Sequence, residues 1–243
     1  MIKLIINEFL KLRIIKIVYI LFLLFITIFI IVYINRDSKD IFYTSIHLIP
    51  FLGLFLAILF GGIISNEYNA GTMRIYLTKP VKRYKVYLSK LIMMFMTTII
   101  ILLSIIIFYF IIFLLLKINI LKINHIDKLL LCSIPLFFIS VLILSISTIT
   151  KSTSMSVGIS LFLLLFSNII SQIFFGIKLT FIEYTFLPYL DFTIFEYIQD
   201  IKSMNIELGI NLSINKGIVI LIVYSILIFV ISCYKFINTD INN

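Results

Sequence analysis

Six stretches of the chain contain no Asp, Glu, Lys or Arg and are long enough to cross a membrane. At a helical rise of about 1.5 Å per residue, ~20 residues span the roughly 30 Å hydrocarbon core of a bilayer. Their apolar runs are continuous rather than alternating, which favours helices over the strands of a barrel. The sequence therefore predicts an all-α, polytopic membrane protein with a single transmembrane domain over residues 1–243. The predicted spans are residues 17–34, 44–65, 91–116, 129–150, 152–177 and 217–234.

Composition excludes the soluble alternative, a large buried helical core. Hydrophobic residues make up 62% of the 243 residues and charged residues only 13%, whereas about a quarter of a soluble domain is charged. The first span is too long for the apolar core of a signal peptide and lacks a small-residue cleavage site, so we interpret it as a retained anchor. Cys132 and Cys233 fall at opposite ends of the predicted bundle, where no disulfide can join them.

The distribution of charge predicts the orientation. With the N-terminus inside, the inner segments hold twelve bases and three acids, and the outer segments hold eight of each. The whole net charge of +9 therefore lies on one side, as the positive-inside rule predicts for the cytoplasm. Both termini are expected to be cytoplasmic, and the basic excess is a topological signal rather than a nucleic-acid footprint.

Residues 2–16 precede the first span and have a polar stripe. Lys3, Asn7 and Lys11 recur every four residues, with Glu8 beside them, while Ile, Leu and Phe fill most other positions. This pattern predicts a helix that lies in the inner membrane interface. The alternative is a simple extension of the first transmembrane helix.

Residues that carry catalysis are scarce. The two histidines, His47 and His125, both map to the outer side, and none of the eight glycines is followed by lysine, as a P-loop requires. We expect no enzyme activity, no metal and no cofactor. The predicted spans also lack the ionisable residues of proton-coupled transport, although sodium coupling through hydroxyls and carbonyls stays open. If ATP and Mg²⁺ are used, a separate chain binds them.

The inner segment 66–90, SNEYNAGTMRIYLTKPVKRYKVYLSK with Ser65, holds the most informative motif. Glu67 to Leu77 is expected to be a short helix capped by Asn66, and Pro80 ends it. The pattern Glu67-x3-Gly71-Thr72-x4-Leu77-x2-Pro80-x2-Arg83, after the second of six spans, resembles the permease subunits of type-2 ABC exporters. In that family this segment is the cytoplasmic coupling helix, which docks on the ATP-binding subunit.

The resemblance implies a half-transporter that pairs with a second copy or a similar permease above two separate ATP-binding cassette subunits. It implies partner contacts for one set of residues: Glu67, Tyr68, Gly71, Thr72, Met73 and Leu77, with Pro80, Arg83 and Tyr84 shaping the exit. For the lysines of this loop, binding to anionic membrane lipid is an equal alternative.

The outer segment 178–216 is rich in aromatic residues. In the family this segment often forms re-entrant helices around a proline, which Leu187-Pro188 fits. We expect an extracellular gate from Phe186, Pro188, Tyr189 and Phe192; the plainer alternative is an aromatic belt at the membrane interface.

The predicted spans carry no charged side chains, and a transport path with uncharged walls suits a hydrophobic or amphipathic substrate. Small members of the resembled family often export peptide toxins or confer immunity to lantibiotics and bacitracin-like peptides, so an amphipathic peptide leaving a bacterial cell is the expected cargo. The composition, rich in Ile, Phe, Lys and Asn, is typical of an AT-rich bacterial genome. Alternatives are a six-span substrate-capturing component of an uptake transporter, or an exporter of lipid or, less favoured, polysaccharide.

Overall fold

The computed structural model describes residues 2–11, 14–34, 48–72, 82–115, 130–177, 179–196, 205 and 211–238. All regular secondary structure in these residues is helical, which confirms the all-α prediction. The α-helices are α1 (Ile2–Lys11), α2 (Ile14–Ile34), α3 (Ile49–Phe60), α4 (Ser65–Asn69), α5 (Arg83–Leu115), α6 (Ile134–Thr150), α7 (Thr153–Gly176) and α8 (Ile214–Asn238). Three short 3₁₀ helices follow α7 within the described residues: Thr180–Tyr184, Leu187–Tyr189 and Phe192–Glu196.

Five helical segments of the described residues are long and apolar enough to cross a membrane. They are Ile49–Asn69, Arg83–Ile112, Leu130–Thr150, Thr153–Gly176 and Ile214–Asn238. A further apolar stretch, Ile20–Ile34 in α2, is shorter. Several long apolar helices are what a membrane protein requires, because a bilayer offers no partner for unpaired backbone groups.

Helix α5 begins at Arg83 and continues into the third predicted span, so Lys90 lies inside this helix. One sequence-based boundary was wrong. The helix expected from Glu67 to Leu77 ends at Asn69, and Gly71 has a φ of +65°. An α-helix cannot continue through that left-handed conformation, which glycine adopts at little cost.

Helix α6 forms the centre of the bundle. It packs against α3, α5, α7 and α8, and most of its side chains are buried. Small residues allow close approach, as at Gly53, which faces Ile139 of α6. Helices α7 and α8 are the outer members, with only 17% of each apolar window buried. Their exposed side chains are mainly Ile, Leu, Val and Phe.

Side-chain contacts define one end of the bundle. The backbone N–H groups of Ile64 and Ser65 donate to Ser147 Oγ near the end of α6, each at 3.2 Å. At the same end, Tyr87 of α5 donates to Ser232 Oγ of α8 at 2.7 Å. The three 3₁₀ helices follow the far end of α7, and two of them pack back on it. The turn after α3, the start of α5 and the last turns of α8 therefore meet at one end.

Candidate functional site

Four charged side chains from three helices meet at this end. Lys90 Nζ of α5 lies 2.8 Å from Glu67 Oε1 of α4 and 2.9 Å from Glu8 Oε2 of α1. Lys11 Nζ of α1 lies 2.9 Å from the same Glu67 oxygen and 3.1 Å from Glu8 Oε1. We call these four residues the charge cluster. Its two acids and two bases balance, so the cluster carries no net charge.

Each member of the cluster is placed by its helix. Glu8 and Lys11 are three residues apart, which puts them on one face of α1. Glu67 lies in the first turn of α4, where the positive helix end favours a carboxylate. Lys90 lies two turns into α5. Helix α1 packs along α5, so the polar stripe of α1 meets this lysine.

The cluster is buried on all but one side. Lys90 is 0% exposed, Glu8 4% and Glu67 8%, whereas the Lys11 side chain is 47% exposed. A buried charge is tolerated only when it is paired, because desolvation costs several kcal/mol per ion. The pairing in the cluster therefore holds α1, α4 and α5 together, and Lys11 is its solvent-facing member.

The pairing shifts two pKa values. Burial alone would raise the pKa of Glu8, but the ammonium groups of Lys90 and Lys11 outweigh it and hold this pKa below the ordinary value of 4.5. Burial opposes the charged form of Lys11, yet Glu67 and Glu8 raise its pKa above 10.5. Both directions favour the ionised forms of Glu8 and Lys11.

A cavity of about 480 Å³ adjoins the cluster. Its polar wall includes Glu8, Lys11, Asn66 and Glu67, and its apolar wall comes from α2, α3 and α5. Glu67 Oε2 is buried and has no hydrogen-bond partner among the described residues. The arrangement can therefore accept a donor group from a bound molecule.

The residues predicted to contact an ATP-binding subunit differ in exposure. Glu67 is buried in the cluster, and Tyr68 is half-buried beneath Lys151 Nζ, 5.3 Å from the ring centre. Gly71 is exposed, and no described residue lies within 4 Å of the position that a Cβ would take there. Thr72 is half-buried and donates its hydroxyl to the Glu67 carbonyl oxygen at 3.4 Å.

The exit of the predicted coupling segment lies on α5. Arg83 is half-buried and donates to the Ile237 carbonyl oxygen of α8, while Tyr84 is 43% exposed. Met73, Leu77 and Pro80 lie outside the described residues. The partner-binding roles of all these residues stay predictions. Gly71 and Tyr84 offer accessible surface, whereas Glu67 joins the helices to one another.

Comparison with known proteins places the chain in a family. Residues 40–242 match the DUF2705 family, described as a protein of unknown function. The chain belongs to the DUF2705 family. No curated protein and no solved structure matches it. Glu67 and Lys90 lie within the part that matches DUF2705, whereas Glu8 and Lys11 precede it.

The predicted gate residues of this DUF2705 chain lie in the 3₁₀ helices or beside them. Pro188, Tyr189 and Phe192 are buried, and Phe186 is half-buried. The Phe186 ring packs 5.3 Å from Phe138 of α6 and 5.4 Å from Tyr224 of α8. Their action as a gate stays a prediction.

Another buried carboxylate, that of Glu183, forms contacts at the end of the bundle opposite the charge cluster. Glu183 Oε2 accepts the Asn211 backbone N–H at 2.7 Å and lies 3.2 Å from Lys216 Nζ of α8. Burial acts to raise the pKa of Glu183, but the Asn211 N–H and Lys216 hold it below the ordinary value. Lys216 also lies 4.1 Å from the Tyr184 ring centre. The pairing joins the first 3₁₀ helix to the start of α8.

Sequence reasoning missed Glu8, Lys11 and Lys90 as members of a site. A signal was present, since Glu8 and Glu67 are the only acids in the basic inner segments that precede α5. An acidic side chain weakens binding to anionic lipid, so each of these two glutamates indicates a cationic side chain nearby. The partner could not be chosen, because the inner segments offer many lysines and only tertiary packing selects Lys90 and Lys11.

Proposed function

We propose that this DUF2705 chain is the membrane subunit of an ATP-driven exporter, with six crossings and both termini in the bacterial cytoplasm. The observation that carries the proposal is the charge cluster. It joins the turn after α3 directly to α1 and to the start of α5. A partner that presses on Gly71 and Thr72 would move three helices together, which is the task of a coupling segment.

The positions of the cluster residues support six crossings. Lys11 and Glu67 are 2.9 Å apart, so the chain leaves this end after α1 and returns to it by α4. Helix α2 has 21 residues and is therefore about 31 Å long. That length matches the hydrocarbon core, so α2 and α3 fit an outgoing and a returning crossing.

At the end of the bundle opposite the charge cluster, the contacts of the 3₁₀ helices support a re-entrant segment. Tyr224 lies ten residues into α8, about 15 Å from its start, and Phe186 contacts it. Asn168, eight residues before the end of α7, lies 3.5 Å from Asp191 Oδ2. The 3₁₀ segment therefore reaches back along both helices, as a cap over a translocation path would.

The outer faces of α7 and α8 support a second copy and an apolar cargo. The buried side of α7 carries serines at 156, 160, 167 and 171, while its exposed side carries Phe162, Phe166 and Ile169. An apolar face of this kind fits lipid or a second permease. In the proposed mechanism, ATP and Mg²⁺ bind to the partner subunit, and an amphipathic peptide such as a toxin or an antimicrobial peptide leaves the cell.

The test uses residues on the surface, because Glu67→Ala would also break the charge cluster. The tagged full chain is purified from its native host in mild detergent, and bound proteins are identified by mass spectrometry. We expect an ATP-binding cassette protein in stoichiometric amount, lost with Tyr84→Ala. The matched control is Tyr234→Ala, which removes an exposed tyrosine from α8 and should retain the ATPase.

Two results would contradict the proposal. One is the absence of an ATP-binding cassette protein from the purified native chain. The other is tight binding of a small ligand by the isolated chain with transport into the cell, which would favour the substrate-capturing component of an uptake system. If both tyrosine variants retain the ATPase equally, Tyr84 does not belong to the surface that contacts the ATPase.

A further inference from the structure

The cavity beside the charge cluster has the size of a ligand site. Its volume of about 480 Å³ falls in the roughly 300–1,000 Å³ range of small-molecule pockets. It lies among α1, α2, α3, α4 and α5, and the turn between α3 and α4 contributes Gly62 and Ile63 to its wall. Binding here would contact each helix that the cluster joins.

One oxygen of the cluster lacks a donor. Glu67 Oε1 pairs with both Lys11 and Lys90, whereas Glu67 Oε2 has no hydrogen-bond partner among the described residues and is buried. Leaving a buried acceptor unsatisfied is costly, and more so for a charged group. Because Glu67 lines the cavity, a ligand N–H donor that displaces the groups now covering this oxygen would satisfy it.

The charge balance selects the ligand further. Among the described residues, the charges of the cluster and of the cavity wall sum to zero, so a simple cation bound at Glu67 would leave an uncompensated positive charge in a buried site. A zwitterion avoids that cost, because its negative group can lie near the half-exposed Lys11 ammonium. A primary ammonium and a phosphate on one headgroup meet both requirements.

The surroundings indicate that the ligand is a lipid. The cavity walls also include the half-buried side chains of Ile17, Leu59 and Ile63. Helix α1 next to it exposes Ile2, Ile6 and Leu10, an apolar surface that fits the membrane interface. An acyl chain entering from the bilayer would therefore find apolar contacts on the way to the cluster.

We propose that this cavity binds the headgroup of a zwitterionic membrane lipid, whose primary ammonium donates to Glu67 Oε2 and whose phosphate lies beside Lys11. The site goes beyond the proposed function, because it requires neither an ATPase nor a transported substrate. A lipid seated here would link α1 to α4 and α5 and so set the stiffness of the unit that the charge cluster forms.

The test measures lipid binding to the delipidated full chain by native mass spectrometry. Phosphatidylethanolamine and phosphatidylcholine with identical acyl chains are titrated, since both are zwitterionic and three methyl groups replace the three N–H donors in phosphatidylcholine. We expect phosphatidylethanolamine to bind about tenfold more tightly, as one charge-assisted hydrogen bond would give. Free O-phosphoethanolamine tests whether the headgroup suffices without its chains, and we expect weak competition.

Variants locate the site. Glu67→Gln removes the carboxylate and should abolish the preference, while Glu183→Gln, at a buried carboxylate outside the charge cluster, should retain it. Leu59→Trp fills the cavity without altering the cluster and should weaken binding of phosphatidylethanolamine, which keeps the test decisive if Glu67→Gln does not fold. Equal affinity of the unmodified chain for the two lipids would overturn the proposal. A preference unchanged by Glu67→Gln, together with phosphatidylethanolamine binding unchanged by Leu59→Trp, would overturn it as well.

Discussion

The buried ammonium group of Lys90 is solvated by protein groups, chiefly by the carboxylates of Glu8 and Glu67, with the Ile63 carbonyl oxygen 3.5 Å away. Lys90 is 0% exposed and lies within 3 Å of Glu8 and Glu67. We expect Lys90→Met to leave two buried acids with one base and to destabilise the protein by about 3–5 kcal/mol. Lys85→Met, on the exposed face of the same helix, serves as the control and should leave stability unchanged. Thermal unfolding in detergent measures both.

The double variant Lys90→Met, Glu67→Gln separates charge balance from packing. It leaves Glu8 paired with Lys11, so we expect it to regain part of the stability that the single variant loses. An equal loss in the single and double variants would show that Lys90 acts through its packing alone.

Glu8 gives the cluster a dependence on pH. Its pKa in the folded protein lies below the ordinary value of 4.5. The stability it contributes is therefore fully present above pH 4.5 and is lost as the pH falls through the lower, folded pKa. We expect the unfolding temperature to drop on acidification below pH 4.5, with a shallower drop in Glu8→Gln. Parallel curves for the two proteins from pH 6 to 3 would contradict this assignment.

At the scale of elements, glycine sets the distance between α3 and α7. A Cβ on Gly61 would lie 2.5 Å from Val157 Cγ2 and 3.1 Å from the Val157 Cα atom. Since a backbone cannot give way as a side-chain tip can, Gly61→Ala should destabilise the protein by about 1–3 kcal/mol. Gly158→Ala is the matched control, because nothing lies within 4 Å of its Cβ position. We expect its unfolding temperature to be unchanged or raised.

The sequence predicted the elements better than their ends. Long apolar runs allow only helices in lipid, so the helical class was fixed by composition. Arg83, Lys85 and Lys90 all lie in the first turns of α5, and charge alone does not show which of them is buried. Lys90 can be buried in this helix because Glu8, 82 residues away in sequence, pairs with it alongside Glu67. Local patterns hold no information on that contact.

Gly71 differs from Lys90, because the sequence motif did single out this glycine. The motif predicted it, however, as part of a continuous helix to Leu77. The structure instead ends α4 at Asn69 and turns at Gly71. The sequence could place a glycine with a structural role after the second span. Whether that glycine permits close helix packing or a left-handed turn depends on its surroundings. At Gly71, no described residue lies within 4 Å of the position that a Cβ would take.

At the scale of the whole molecule, single cysteines can test the number of crossings and their orientation, because the contacts identify residues at each end of the bundle. In a Cys132→Ser, Cys233→Ser background, cysteine is placed at Lys3, Lys85 or Phe181, all exposed side chains. Lys3 and Lys85 belong to helices joined by the charge cluster, and Phe181 lies at the opposite end. A membrane-impermeant maleimide should label position 181 in intact cells, and positions 3 and 85 only after permeabilisation. This outcome follows from six crossings and a basic inner side.

Each departure from that pattern has a distinct meaning. Labelling of position 3 but not 85 in intact cells would mean that α2 does not cross, and that the pairing of Glu8 with Lys90 does not occur in the membrane. Labelling of 3 and 85 but not 181 would keep six crossings and reverse the orientation. Since an ATP-binding subunit can act only from the cytoplasm, a reversed orientation would also place Gly71 and Tyr84 beyond its reach.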